Sequence, residues 1–171
     1  MAKQTRDAEF TEFVASRSGW LRKVAYLLCG DWHRADDLVQ ETITRLYVNW
    51  SRAARMENLD GYARRTLVNV FLGEQRTSWW RRTVRTGTEP DVAEVTGTDL
   101  DTSLDLRRAL ATLPPRQRAT VVLRYYCDLT VEQAAEALGC SSGNVKSQSS
   151  RALDSLRSRL TPRPAAAERT P

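Results

Sequence analysis

A run of helix start and stop signals between Thr130 and Ser141 constrains this chain more than any other feature in it. Thr130-Val131-Glu132-Gln133 has the spacing of a capping box. The threonine hydroxyl accepts from the Gln133 amide, and the glutamine side chain reaches back to the Thr130 amide. Ala134, Ala135 and Leu138 follow at helical spacing, and Gly139 supplies the left-handed conformation of a sharp turn at little steric cost. Ser141 then caps a second helix whose inner face is Val145, Ala152, Leu153, Leu156 and Leu160. A short helix, a glycine turn and a second helix locked by Val145 onto two alanines predict a helix-turn-helix. The opposite face of the second helix carries Ser142, Gly143, Asn144, Lys146, Ser147, Ser150 and Arg151. Short or basic side chains there allow close approach to a DNA groove, with the helix N-terminus free to meet a phosphate. The competing interpretation is an ordinary helical hairpin with a solvated face.

Helical spacing recurs through the rest of the chain, and no segment alternates apolar with polar residues. Phe10, Phe13, Val14, Leu21, Val24 and Leu28 repeat at three, four and seven. Gly30 can stop that helix and Asp31 can cap the next, which carries Leu38, Val39, Ile43, Leu46, Tyr47 and Trp50. A polar loop follows from Ser51 to Asn58, and Asp60 is placed to cap a third helix with Ala63, Leu67, Val70 and Phe71 inward. Further on, Leu106, Ala109, Leu110 and Leu113 form a fourth stripe that ends at Pro114-Pro115. Pro115 suits the first turn of a following helix holding Val121, Val122 and Tyr125. The expected fold is therefore all-α. Two small helical domains, an N-terminal bundle of three main helices and a C-terminal helix-turn-helix, are joined by a flexible acidic linker.

Charge supports that division. The 171 residues are 41% hydrophobic with a formal net charge of +5, enough apolar content for two thin cores. Between 61 and 85, Arg64, Arg65, Arg76, Arg81, Arg82 and Arg85 face Glu74 alone. Between 86 and 106 lie Glu89, Asp91, Glu94, Asp99, Asp101 and Asp105 with no base. Beyond 106, to 161, basic residues again exceed Asp128, Glu132, Glu136 and Asp154. The acidic stretch also holds Gly87, Pro90 and Gly97, the composition of a linker. The expected boundaries are 1–85, a linker at 86–102, the second domain at 103–161, and a disordered tail at 162–171. Of the 26 basic residues only Lys3, Lys23 and Lys146 are lysine. Arginine suits bidentate contacts with phosphate and guanine, and a GC-rich genome accounts for the bias equally well.

Several function classes are short of parts. Cys29, Cys127 and Cys140 are odd in number and far apart, against a disulfide framework or structural zinc, so a reduced, cytoplasmic protein is expected. His33 stands alone. The carboxylates sit mostly in the linker and on one helix rather than gathered as a nuclease requires, and no phosphate-binding loop is present. Catalytic residues, metal ligands and cofactors are accordingly all expected to be none. The first ten residues are polar, and the longest apolar run, Val24 to Cys29, is too short to span a bilayer, so no membrane insertion is expected.

Four stretches together carry a family resemblance. "LTVEQAAEALGCSSGNVKSQSSRALDSLRSRL" resembles the fourth region of sigma-70 factors of the extracytoplasmic-function class, sigma-E-like members included, and "LPPRQRATVVLRYYCDLT" its usual lead-in. "DDLVQETITRLYVNW" resembles the helix of the second region, and "LDGYARRTLVNVFLGEQR" the promoter-melting helix after it. The likeness runs from about Phe10 to Leu160.

That resemblance implies an alternative sigma factor, which binds core RNA polymerase and directs promoter recognition and melting. The polymerase-docking helix implicates Asp36, Asp37, Leu38, Val39, Gln40, Glu41 and Thr42, with Leu38 and Val39 facing the bundle and Asp37, Gln40 and Glu41 offering acceptors to partner arginines. Tyr62, Arg65, Asn69 and Arg76 match positions that hold the minus-ten element as single-stranded DNA, which requires stacking planes and a basic track. Trp79, Trp80, Arg81 and Arg82 either extend that track or pack against the bundle. Arg124, Ser142, Gly143, Asn144, Lys146, Ser147, Ser150 and Arg151 match positions that meet the minus-thirty-five element in the duplex major groove. Gln148 departs from the arginine common in relatives, and Ser150 is smaller than usual. The implied partners are the clamp of the polymerase's largest subunit, the flap of its second largest, and promoter DNA, with an anti-sigma factor as candidate regulator. The alternative is a conventional helix-turn-helix regulator of duplex DNA, which would leave the docking and melting helices idle.

Overall fold

A computed structural model describes residues 1–85 and 101–161. The helical signals become α1 (Ala2–Cys29), α2 (Trp32–Val48), α3 (Trp50–Ala53), α4 (Leu59–Arg85), α5 (Asp101–Ala111), α6 (Pro115–Val121), α7 (Val131–Leu138) and α8 (Ser142–Leu160). No strand occurs among the described residues. Gly30 takes a left-handed φ of 75° and its amide donates to the Tyr26 carbonyl, while the Asp31 carboxylate accepts from the Arg34 amide and starts α2. Both bonds of the Thr130–Gln133 capping box form, at 3.1 and 2.9 Å. Gly139 ends α7 at φ 63°, and the Ser141 hydroxyl accepts from the Asn144 amide at 3.1 Å to begin α8.

Four local expectations change. α1 extends beyond its apolar stripe, which opens at Phe10, and starts about two polar turns earlier at Ala2. The 51–58 loop begins as the single turn α3, because Trp50 and Ala53 are both buried. Asn58, rather than Asp60, caps α4: its side-chain oxygen accepts from the Gly61 amide at 2.8 Å. Asp60 sits one turn in and pairs with Arg17 at 2.8 Å. A β-carbon at Gly61 would lie 2.5 Å from the Asn58 amide nitrogen, so glycine is what lets the cap close.

The fourth change follows α6. Val122–Tyr126 widens into a π-helical turn, with the Cys127 amide donating to the Val122 carbonyl at 3.0 Å. The wider turn shifts the register of the inward stripe, so Tyr125, expected in the core, is 53% exposed. Tyr126 is exposed beside it.

α1, α2 and α4 pack around Leu21, Val24, Leu28, Leu38, Leu67 and Phe71. α6, α7 and α8 pack around Leu123, Ala134, Leu138 and Val145, with Val145 fully buried as the lock between the last two helices. The two units are not separate cores: a single apolar cluster runs through both. A smaller cluster joins α5 to α8 through Leu110, Leu113, Ala152 and Leu156, and Leu27 of α1 packs against it. The linker expected at 86–102 lies outside the described residues, except that Asp101 and Thr102 already belong to α5. The tail expected at 162–171 lies outside them as well.

Candidate nucleic-acid interface

Three surfaces collect the candidate residues. The first is the outer face of α8. Gly143, Asn144, Lys146, Ser147, Ser150 and Arg151 are exposed there and Ser142 is half-exposed, while Val145, Ser149 and Ala152 turn inward. Neither Lys146 nor Arg151 makes an ion pair among the described residues. Arg124 reaches this face from the π-turn. It donates one guanidinium N–H to the Leu129 carbonyl, lies 5.6 Å over the Tyr125 ring, and lines a groove of about 320 Å³ with Lys146, Ser150 and Arg157. Arg157 was absent from the expected set, because it lies two turns past the positions that resemble a reading helix.

The second surface is one stripe of α4. At about 100° per residue, Tyr62, Arg65, Asn69 and Arg76 fall within roughly 60° of arc and about 21 Å of helix. Arg65, Asn69 and Arg76 are exposed and Tyr62 is half-buried. Tyr62 and Arg65 share a groove of about 560 Å³ with Arg52 and Arg64. These two arginines were missed; the surplus of arginine after residue 60 was the available signal for Arg64. The guanidinium of Arg64 stacks over Trp20 at 5.1 Å, which holds it at the groove wall. The candidates Trp79, Trp80, Arg81 and Arg82 have side chains outside the described set.

The third surface is the outer face of α2. Asp36, Asp37, Gln40 and Glu41 are exposed. Arg22 binds Asp36 at 2.5 Å, and this hydrogen bond holds the Asp36 carboxyl below its ordinary range. Glu41 pairs with Arg45 one turn on at 2.7 Å. Asp37 has no ion-pair partner among the described residues, so its charge is available to an incoming cation. Leu38, Val39 and Thr42 do not belong to this face. All three are buried, and Thr42 closes its hydroxyl onto the Leu38 carbonyl at 2.7 Å. They pack behind the exposed face and set the helix's orientation. Asp37 and Glu41 line a groove of about 730 Å³ with Asn69, Gly73 and Glu74, so the acidic face and the α4 stripe adjoin.

Among the described residues no group of three or more histidine, cysteine or acidic side chains could hold a metal ion. No helix among them is long and apolar enough to cross a membrane. Burial pushes the thiols of Cys29 and Cys127 up, which disfavours thiolate chemistry at either.

Residues 13–81 match the family described as Sigma-70 region 2, and residues 103–156 match Sigma-70, region 4. The chain is 38% identical over 161 residues to the RNA polymerase sigma-E factor of Streptomyces avermitilis, covering 91% of this chain and 87% of that one. It is 32% identical over 140 residues to the ECF RNA polymerase sigma factor EcfG of Rhodopseudomonas palustris, covering 80% and 76%. Its fold superposes with a TM-score of 0.76 on the sigma factor RpoE of Bartonella quintana, solved in complex with the anti-sigma factor NepR, at 26% identity over 89% of this chain and 96% of that one. The matched segments contain α2, α7 and most of α4 and α8, the helices that carry the three surfaces. The chain therefore belongs to the sigma-70 family of RNA polymerase sigma factors, in its extracytoplasmic-function class.

Proposed function

We propose that this chain carries core RNA polymerase to promoters and helps open them, acting as a transcription-initiation factor that catalyses no covalent step of its own. One observation carries the proposal: an acidic helix face, a basic and aromatic stripe, and a groove-reading helix are presented on three different elements of one chain. On α2, Asp37, Gln40 and Glu41 offer acceptors to basic groups on the polymerase clamp. Along α4, Tyr62 gives a stacking plane, Asn69 a base-edge partner, and Arg65 and Arg76 the cations a single strand needs. On α8, Lys146 and Arg151 reach phosphate or guanine in the major groove, with the C-terminal unit seated on the polymerase flap. This activity places the protein in the cytoplasm, where polymerase works. A structural relative solved with an anti-sigma factor supports control by a separate protein of that kind.

Two weakly binding units become effective when one large enzyme holds both at high local concentration. Run-off transcription with purified core polymerase on a promoter library tests the proposal. Defined start sites that require the chain are expected. Core polymerase that starts no differently with and without it would overturn the assignment, as would absence of any complex between the two.

A further inference from the structure

Trp32 opens α2 one turn ahead of Asp36, and the proposed function gives it no role. Tryptophan is on average a well-buried side chain, yet 39% of Trp32 is exposed. Its ring is nevertheless fixed. Tyr26 of α1 stacks on it, with centroids 3.9 Å apart and planes 9° from parallel. The Arg22 guanidinium, one turn earlier on α1, lies 4.4 Å from the ring centroid. Arg22 also donates to the Asp36 carboxylate at 2.5 Å, so one arginine ties the indole to the acidic face. Tyr26, Trp32, Arg22 and Asp36 thus form a continuous ladder across the seam between α1 and α2.

Helix geometry puts that ladder beside the docking face. Trp32, Asp36 and Gln40 follow at intervals of four, so each is displaced from the last by about 40° and about 6 Å. The row runs along the α1 edge of the face that carries Asp37 and Glu41. What the indole can add there differs from what the acids add. Exposed carboxylates attract and orient a basic partner, and salt screens them. A part-exposed tryptophan offers apolar area to cover, and tryptophan is enriched among the residues whose truncation costs most at interfaces. Because Tyr26 and Arg22 already hold the ring, little rotamer freedom is lost when a partner covers it. Stacking on Tyr26 accounts for the buried part of the ring but not for the open remainder.

We propose that Trp32 is an apolar anchor of the polymerase-docking surface, which thereby extends one turn beyond Asp36 toward the start of α2. Continuity with the Asp36–Glu41 face, and the Arg22 bridge that joins the two, point to core RNA polymerase as the occupant. On that partner the site fits an aliphatic side chain, or the carbon stem of an arginine whose guanidinium reaches Asp37 or Gln40. The inference rests on the assignment of α2 as the docking helix under Proposed function.

Two measurements with the full chain and core polymerase test it. In the first, an equilibrium binding titration, Trp32→Ala is expected to weaken the complex about tenfold or more. Raising salt from about 100 to about 500 mM should leave that factor in place, since the lost contact is apolar. Asp36→Ala controls for an indirect effect. A tryptophan that merely held Arg22 on Asp36 would cost nothing further in the Asp36→Ala background, whereas an anchor costs the same factor in both. In the second, hydroxyl-radical footprinting of the wild-type chain reads the indole directly and does not depend on a variant folding. The tryptic peptide 24–34 holds no other tryptophan, and its oxidation at Trp32 should fall severalfold when core polymerase is added. Full affinity of Trp32→Ala, a loss that vanishes in the Asp36→Ala background, or an indole oxidised equally with and without polymerase would each overturn the proposal. A wild-type chain that forms no complex with core polymerase would overturn the docking assignment itself, and the anchor with it.

Discussion

Replacing Lys146 and Arg151 by alanine isolates what the α8 face contributes to DNA binding. Both side chains are exposed and neither is tied into an ion pair among the described residues. Surface changes of this kind alter stability by no more than about 0.5 kcal/mol, so melting temperature should hold. Each duplex phosphate that a cation neutralises adds about 0.9 to the slope of log affinity against log salt. If both residues meet phosphate, the double variant loses about 1.8 from that slope. Between about 50 and about 200 mM salt, the deficit of the variant relative to wild type then shrinks about twelvefold. If either residue reads guanine instead, the loss is concentrated on the preferred sequence and amounts to about 1–3 kcal/mol per contact. The assay is a salt titration of holoenzyme binding to duplexes that carry the upstream element, intact or scrambled. An unchanged slope together with unchanged preference between the two duplexes would refute the assignment of this face.

The remaining predictions concern docking, a helix cap and two thiols. Asp37→Arg with Gln40→Ala should abolish co-purification with core polymerase while leaving melting temperature within a degree or two, since both residues are exposed; retained binding would remove α2 from the interface. Gly73→Ala should stabilise α4 by about 1 kcal/mol, because a β-carbon there meets nothing within 4 Å. Gly61→Ala should bring no such gain: its β-carbon displaces the Asn58 cap, whose loss costs about 1 kcal/mol. Paired thermal melts decide this, and equal gains at both sites would show that the cap does not matter. Burial raises the Cys29 and Cys127 thiols, so the folded chain keeps these protons longer than the unfolded chain, where a thiol titrates near about 8.5. Their contribution is whole below that pH and is lost as pH rises through the raised folded values. Melting temperature should therefore fall more between about pH 7.5 and about pH 9.5 in wild type than in Cys29→Ser/Cys127→Ser, and parallel declines would refute it.

The parts of this molecule legible in its sequence are those set by neighbours along the chain. Thr130, Gly139 and Ser141 announce the two helices of the C-terminal hairpin, and Gly30 with Asp31 the break between α1 and α2, because each acts within four residues of itself. What escaped depends on competition or on distant partners. Asn58 and Asp60 both suit a cap, and the distant Arg17 draws Asp60 away. Thr42 looks polar in a pattern, yet a bond to the carbonyl one turn back lets it enter the core. Apolar periodicity shows that α1 and α6 each bury a face but not that they bury those faces against each other, so the continuous core was invisible. Of the site, the exposed face of α8 was legible because a stripe on a helix follows from spacing, whereas the α4 positions came from the family resemblance.

The single wide turn at Val122–Tyr126 has a consequence beyond exposing two tyrosines. A π-turn amounts to one additional amino acid spliced into an otherwise regular spiral. Within the turn, each residue past the insertion is rotated by about 100° and advanced by about 1.5 Å relative to an unbroken helix. Excising one residue here would restore the ordinary ladder and swing Tyr125 inward. The outward bearing of Arg124, which brings its guanidinium to the groove beside Lys146, is thus inherited from a backbone insertion rather than from the hydropathy of its neighbours.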